Sequence, residues 1–267
     1  LLDAEATGFG GAGTVAFLVG TAWVDDSRFH VRQFLLPDYS HEPAFLGAVA
    51  DELRRFSAVV TFNGCSYDLP LLQERSVYAQ RPLRLEVAHH VDLLPLTRQL
   101  YSALLPSCRL ASVERDLLGI WRVGDVPSDV VPGLYFTYLH TGNAAVLRPV
   151  VEHNLRDLVA MLALLVRIGL LLAEREVDRL SAEELYGLGR FHEAGRRWDD
   201  AIRFYLAAID RGLSRRFREL AWWRLGCSNR RLGRWAAAVE AWAQCARLGG
   251  ELAPKALREM ACCAERR

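Results

Sequence analysis

The chain begins with Leu1-Leu2-Asp3-Ala4-Glu5-Ala6-Thr7-Gly8, an apolar run that carries two acidic residues. Successive side chains of a β-strand point to opposite faces, so Asp3 and Glu5 would lie side by side on one face. Like charges in that position repel by up to about 1 kcal/mol, and a cation such as Mg²⁺ or Mn²⁺ would offset the cost. The run indicates either a metal-binding strand or a solvent-facing pair on an edge strand.

The glycines that follow fit the pattern G-x-G-x-x-G over residues 8–13, which is typical of dinucleotide-binding proteins. That site requires a helix directly after the glycines, so that the pyrophosphate meets the helix N-terminus. Residues 14–24 are instead rich in β-branched and aromatic side chains, which predicts a second strand. We therefore interpret the glycines as a turn between two antiparallel strands.

The next segments alternate between strand and helix patterns. Strands are predicted over 29–36, 57–62 and 86–91, and helices over 42–56, from 67 or 68 to 78, and over about 150–173. This order predicts an α/β domain over residues 1–174, with a mixed sheet whose first three strands are antiparallel and which helices flank.

The C-terminal part contains an internal repeat, since the run 185–189 returns at 222–226, a shift of 37 residues. The equivalent pairs are Leu185 and Trp222, Leu188 and Leu225, Gly189 and Gly226, Ala201 and Ala238, Tyr205 and Trp242, and Ala208 and Cys245. These offsets match the tetratricopeptide pattern W-x₂-L-G with a later A-x₃-F. We expect an all-α, tetratricopeptide-like segment over 181–267, which packs against the first domain or binds a protein partner.

The composition is typical of a soluble globular protein, with 51% hydrophobic and 24% charged residues and a net charge of +1. The six cysteines show no C-x-x-C spacing, which favours reduced thiols and a cytoplasmic location. The most apolar stretch, residues 158–173, is interrupted by Arg167 and is short for a bilayer span, so we expect no membrane partner. Because Leu1 already lies in a predicted strand, we expect the natural chain to extend upstream.

Further acidic residues and a histidine follow later elements. Asp68 closes the run 63–68 after a predicted strand, where it is equally well explained as a helix cap or first-turn acid. His153 and Asp157 are spaced i, i+4, which places them on one helical face, although a lone histidine is more often a partly buried structural residue. Asp92 also follows a strand, and we interpret it as a cap.

At these residues the sequence resembles the DEDD superfamily of 3′→5′ exonucleases, which have a ribonuclease H-like fold. The first motif, D-x-E-[TA]-T-G, is matched by Asp3, Glu5, Thr7 and Gly8. The second motif, N-x₃-[FY]-D, is matched by Asn63, Tyr67 and Asp68. The third motif is matched by His153 and Asp157 at the spacing of the tyrosine subclass, with histidine in place of the tyrosine.

Residues 1 to about 172 also resemble the bacterial YprB-like ribonuclease H-like domain proteins, some of which carry tetratricopeptide repeats behind this domain. The similar segments are residues 14–20, 90–94, 134–142 and 152–157.

The resemblance implies phosphodiester hydrolysis with two divalent cations, Mg²⁺ or Mn²⁺, as cofactors. Asp3 would bridge the cations, Glu5 and Asp157 would hold the one that activates water, Asp68 would hold the other, and His153 would orient or deprotonate the water. The substrate-binding candidates are the backbone around Ala4, Ala6 and Thr7, with Asn63 and Tyr67 at the entry and Tyr67 able to stack on a base.

The sequence therefore predicts a metal-dependent nuclease, most concretely a 3′→5′ exonuclease that acts on single-stranded DNA or RNA. One alternative is a nucleic-acid-binding scaffold with weak or no catalysis, whose repeats recruit a protein partner. Another is a structure-selective endonuclease on the same fold. The residues do not decide between DNA and RNA, because no contact to a 2′-hydroxyl can be located.

Overall fold

The computed structural model describes residues 1–8, 10–11, 13–80, 89–174 and 177–264. The chain forms two compact units, Leu1–Pro95 with Arg109–Arg167, and Leu96–Cys108 with Ile168–Arg267. The expected division, with one domain over 1–174 and another over 181–267, differs from these units because Leu96–Cys108 and residues 168–174 group with the second unit. The domain division itself stays a prediction.

The first unit opens with an antiparallel sheet of β1 (Leu2–Ala6), β2 (Ala16–Asp25) and β3 (Arg28–Leu35), in the order β1-β2-β3. The predicted antiparallel arrangement of the first three strands is thus confirmed. The backbone N–H of Thr7 donates to the Val15 carbonyl at 3.0 Å, which closes the turn. Since β2 follows the glycines, they serve a hairpin rather than a dinucleotide site.

Two further strands, β4 (Ala58–Thr61) and β5 (His89–Asp92), pair in parallel as a separate two-stranded sheet. Antiparallel and parallel pairing are therefore both present, as a mixed architecture requires. Residues 86–88 of the predicted strand over 86–91 lie outside the described residues. On β1, the backbone N–H of Ala4 donates to the Asp68 carboxylate at 3.0 Å, so a side chain takes the place of a strand partner there.

Helices connect or follow these strands in the N-terminal half of the chain. They are α1 (Glu42–Leu53), α2 (Asp68–Tyr78), α3 (Leu93–Tyr101), α4 (Leu110–Val113), α5 (Val131–Thr141) and α6 (Arg148–Leu172). Phe17 of β2 stacks on Tyr135 of α5 with ring centroids 4.1 Å apart. Leu2, Ala4 and Ala6 face the same core, which leaves Asp3 and Glu5 on the opposite face of β1.

Within its described residues, the second unit contains five further helices, α7 (Ala182–Ala194), α8 (Trp198–Arg211), α9 (Arg215–Arg231), α10 (Trp235–Leu248) and α11 (Ala253–Ala264). A Cβ on Gly189 would collide with Tyr205, and a Cβ on Gly226 would collide with Trp242. Gly226 lies 37 residues after Gly189, and Trp242 lies 37 residues after Tyr205. The two contacts are therefore equivalent, and α7–α8 and α9–α10 form equivalent hairpins. Their assignment as tetratricopeptide repeats stays a prediction. Among the described residues, no helix combines the length and apolarity needed to cross a bilayer.

Candidate active site

Three separate elements bring the four predicted carboxylates together. Asp3 and Glu5 lie on one face of β1, Asp68 is the first residue of α2, and Asp157 lies on α6. Burial raises the pKa of Asp3 well above its usual value, and repulsion from Asp157, Glu5 and Asp68 raises it further. The structure thus brings these four acids together, although Asp3 and Asp157 are more than 150 residues apart in the chain, and their role as a catalytic site stays a prediction.

The pKa values of the other three carboxylates are also raised. Burial raises the pKa of Glu5 to about 7, against the opposing attraction of His153. Burial likewise raises the pKa of Asp68 to about 7, although the hydrogen bond from Ala4 acts in the opposite direction. The pKa of Asp157 is raised by burial in spite of nearby positive charge. The side chains around the site therefore compensate only part of its negative charge.

His153 lies among these carboxylates rather than in a separate core position. Its Nε2 atom is 3.7 Å from Asp157 Oδ2 and 3.9 Å from Glu5 Oε1, and its Nδ1 atom is 2.8 Å from Asp125 Oδ1. Burial alone would lower the pKa of this imidazole, but Asp157 and Asp125 outweigh it, and the pKa is raised. The structure thus brings His153 to the site, and its action on water stays a prediction.

Arg122 is a charged residue of the site that the sequence analysis missed. Its guanidinium donates to both carboxylate oxygens of Glu114, to Asp125 at 2.8 Å, and to Asp157. The side chain is almost fully buried. No motif could have identified it, because it comes from the segment between the short turn 114–118 and α5 and lies 35 positions from Asp157.

Asn154 is a second missed residue, and it holds Asp3 in place. Its side-chain amide donates to Asp3 Oδ2 at 2.8 Å and to the Asp3 carbonyl at 3.2 Å, while its Oδ1 accepts from Gln33 Nε2 at 2.8 Å. Asp3 pairs with Gly20 and Gly20 with Gln33 across the sheet, so Asn154 spans three strands. A Cβ on Gly20 would collide with Asn154. The sequence shows only that an asparagine follows His153 directly, whereas its full burial is visible in the structure alone.

The predicted substrate-binding residues near β1 are used in structural contacts. The side chains of Ala4 and Ala6 are buried in the core, so only their backbone could meet a substrate. The Thr7 hydroxyl accepts the N–H of Val15 at 2.9 Å, which fixes the glycine turn. Contact between the backbone of these three residues and a nucleotide stays a prediction.

The second motif forms a braced loop at the edge of the site. Tyr67 donates its hydroxyl to the Gly8 carbonyl, and Asn63 is exposed with a left-handed backbone at φ 68°. Asp92 accepts the N–H groups of Asn63, Cys65 and Leu94 at 2.8, 3.1 and 3.0 Å. Its expected role as a cap of α3 is therefore confirmed, and it also holds the loop that leads to Asp68. Stacking of Tyr67 on a base stays a prediction.

The donor set suits hard divalent cations, since it consists of carboxylate oxygens whose negative charge the chain leaves partly unbalanced. Asp3, Glu5, Asp68 and Asp157 would hold such ions. Within the described ranges, no group of three or more His, Cys, Asp or Glu side chains is already spaced as a coordination sphere. The contact between Arg122 and Asp157 occupies one carboxylate oxygen of this set.

Comparisons with known proteins agree with this geometry. Residues 1–168 match a family described as RNase_H superfamily. Over 203 residues, the chain is 30% identical to the uncharacterized protein YprB of Bacillus subtilis (strain 168). That match covers 75% of this chain and 49% of the relative, so the chain spans about half the relative's length.

Proposed function

The chain belongs to the RNase H superfamily, whose members generally hydrolyse nucleic acids, and we propose that it is a metal-dependent nuclease. The observation that carries this proposal is the meeting of four carboxylates from β1, α2 and α6, of which Asp68 is buried and the others are partly buried, with raised pKa values. Their match to the motifs of the DEDD exonucleases supports the finer proposal of 3′→5′ exonuclease action on single-stranded DNA or RNA.

In this proposal the carboxylates of Asp3, Glu5, Asp68 and Asp157 hold two divalent cations, Mg²⁺ or Mn²⁺. Bound cations supply a water of lowered pKa and neutralise charge on the leaving oxygen. Asp125 fixes the imidazole of His153 through its Nδ1 atom, which leaves Nε2 directed at Glu5 and Asp157. From there Nε2 can take a proton from the attacking water.

The test is degradation of single-stranded DNA and RNA, labelled at the 5′ end, with Mg²⁺ or Mn²⁺ and with EDTA as a blank. Stepwise shortening that requires the metal and is lost in Asp3→Asn is the expected result. Asp51→Asn, which changes an exposed acid paired with Arg54, is the matched control. A circular single strand has no ends, so its cleavage would indicate the endonuclease alternative and contradict exonuclease action.

A nucleic-acid-binding scaffold is the second candidate, and the position of Arg122 favours it. The guanidinium of Arg122 contacts Asp157 and supplies positive charge at a carboxylate that, in the nuclease proposal, binds a divalent cation. In this case the α7–α10 hairpins recruit a protein partner while the first unit holds the strand. Metal-independent oligonucleotide binding without any cleavage, by a folded wild-type chain, would support the scaffold over the nuclease.

A further inference from the structure

A pocket of about 380 Å³ lies next to the carboxylates, between α6 and the segment 120–123. Volumes of 300–1,000 Å³ are typical of small-ligand sites. Its apolar walls include Trp121, Val123, Leu155 and Val159, and its charged lining residues are Glu114, Arg122 and Arg156.

The apolar walls of this pocket are open to solvent. Trp121 is 74% exposed and Val123 is 85% exposed, while Leu155 and Val159 present their side chains outward from α6. An exposed indole beside exposed aliphatic side chains forms a surface that soluble proteins commonly keep for binding. A flat aromatic ring with one free face is suited to stacking on another planar ring.

The pocket adjoins the candidate active site through shared and neighbouring residues. Arg122 lines the pocket and also contacts Asp157. Arg156 precedes Asp157 on α6, and its ion pairs with Asp125 and Glu152 are long, at 3.5 and 3.7 Å. Because these contacts are weak, the partly exposed guanidinium of Arg156 can turn to a phosphate.

We propose that this pocket is a nucleotide subsite, in which Trp121 stacks on an unpaired base and Arg156 pairs with the phosphate of the same strand. The ligand class rests on the proposed nucleic-acid function, and the subsite extends that function beyond the carboxylates. Arg122 already pairs with Glu114 in the lining, so the weakly paired Arg156 is the cation left for a ligand, and a cation beside a stacking surface suits a nucleotide better than an apolar peptide. Stacking on an aromatic side chain contributes about 1–3 kcal/mol per base.

The experiment measures binding of a fluorescently labelled oligothymidylate and an oligouridylate by anisotropy in EDTA, so that no turnover is needed. Trp121→Ala should weaken binding about tenfold or more, and Trp121→Phe should retain most of the affinity. Arg156→Gln should lower the salt dependence of binding by about one phosphate contact. Trp235→Ala, which removes an exposed tryptophan of the second unit, should bind as the wild type does.

Equal binding by wild type and Trp121→Ala would overturn the subsite, as would the absence of oligonucleotide binding by the wild type. The failure of the subsite is distinguishable from the failure of the nuclease proposal. Cleavage that does not depend on Trp121 would remove the subsite and keep the nuclease. Binding that depends on Trp121, without metal-dependent cleavage, would keep the subsite and remove the nuclease.

Discussion

The first unit groups its carboxylates around Arg122 and His153, whereas the second unit pairs the partly buried Glu193 and Arg224 beside the buried Tyr205. In the second network one acid meets one cation, and the Tyr205 hydroxyl donates to the same carboxylate. In the first network the acids outnumber the cations, and burial together with mutual repulsion raises the pKa values of Asp3, Glu5, Asp68 and Asp157. A balanced network stabilises a fold, while an unbalanced one indicates a site that awaits positive charge.

The largest expected effect comes from Asp3→Asn, which removes a charge at the centre of the unbalanced network. We expect metal-dependent nuclease activity to fall at least about a thousandfold, because the proposed cations contribute several kcal/mol to the transition state. Initial rates on a labelled single strand measure the effect. Asp51→Asn should keep the wild-type rate, and an active Asp3→Asn chain would show that the carboxylates do not carry the reaction.

Asn154→Ala tests the first network in a second way, because it removes the residue that orients Asp3. Activity should fall about 10–100-fold, as is typical when a residue that positions a metal ligand is lost. The same rate assay measures it, with circular dichroism to verify folding. Asn143→Ala changes an exposed asparagine that caps the turn 144–147 and should leave the rate unchanged. A comparable loss in both variants would assign Asn154 a purely structural role.

Arg224→Met tests the balanced network, because it leaves Glu193 and Tyr205 partly buried without their cation. We expect the free energy of unfolding to fall by about 2 kcal/mol. Urea denaturation measures the change. Arg234→Met, at an exposed pair with Asp199, should cost less than about 1 kcal/mol. Equal costs in the two variants would contradict a structural role for the buried network.

The smallest effect concerns pH. The Glu5 pKa is about 4.5 when unfolded and about 7 in the folded chain, so the native state binds more protons between these values. In EDTA, the free energy of unfolding should therefore fall as pH rises from about 4.5 to about 7. Glu5→Gln should make this fall shallower by about 1 kcal/mol per pH unit, since a difference of one bound proton corresponds to about 1.4 kcal/mol per pH unit. An unchanged slope in urea denaturation would contradict the burial of this charge.

Local patterns in the sequence were enough to predict the antiparallel strands, the long helix that became α6 and the repeated hairpins. The spacing of Asp3 and Glu5 fixed their common face, because side chains alternate along a strand. The i, i+4 spacing of His153 and Asp157 likewise fixed their common helical face. These features depend on neighbours in the chain, which a single sequence contains.

The missed features depend on tertiary contacts. Arg122 reaches Asp157 from a segment without a regular pattern, and Asn154 meets Gln33 across 121 positions of the chain. The Ala4 N–H donates a hydrogen bond to Asp68, which lies 64 positions later in the chain, and strand periodicity does not predict this contact. The hydrogen bond from Gln99 to the Arg190 carbonyl likewise joins α3 to α7 across 91 positions of the chain.

The most direct test of the unbalanced network as a metal site is calorimetric titration of Mn²⁺ into the wild-type chain and into Asp3→Asn at pH 8. We expect the wild type to bind Mn²⁺, with a matching rise in its unfolding temperature. Asp3→Asn should remain folded and lose most of that affinity. Binding of equal strength in both chains, or the absence of Mn²⁺ binding by the folded wild type, would contradict the account.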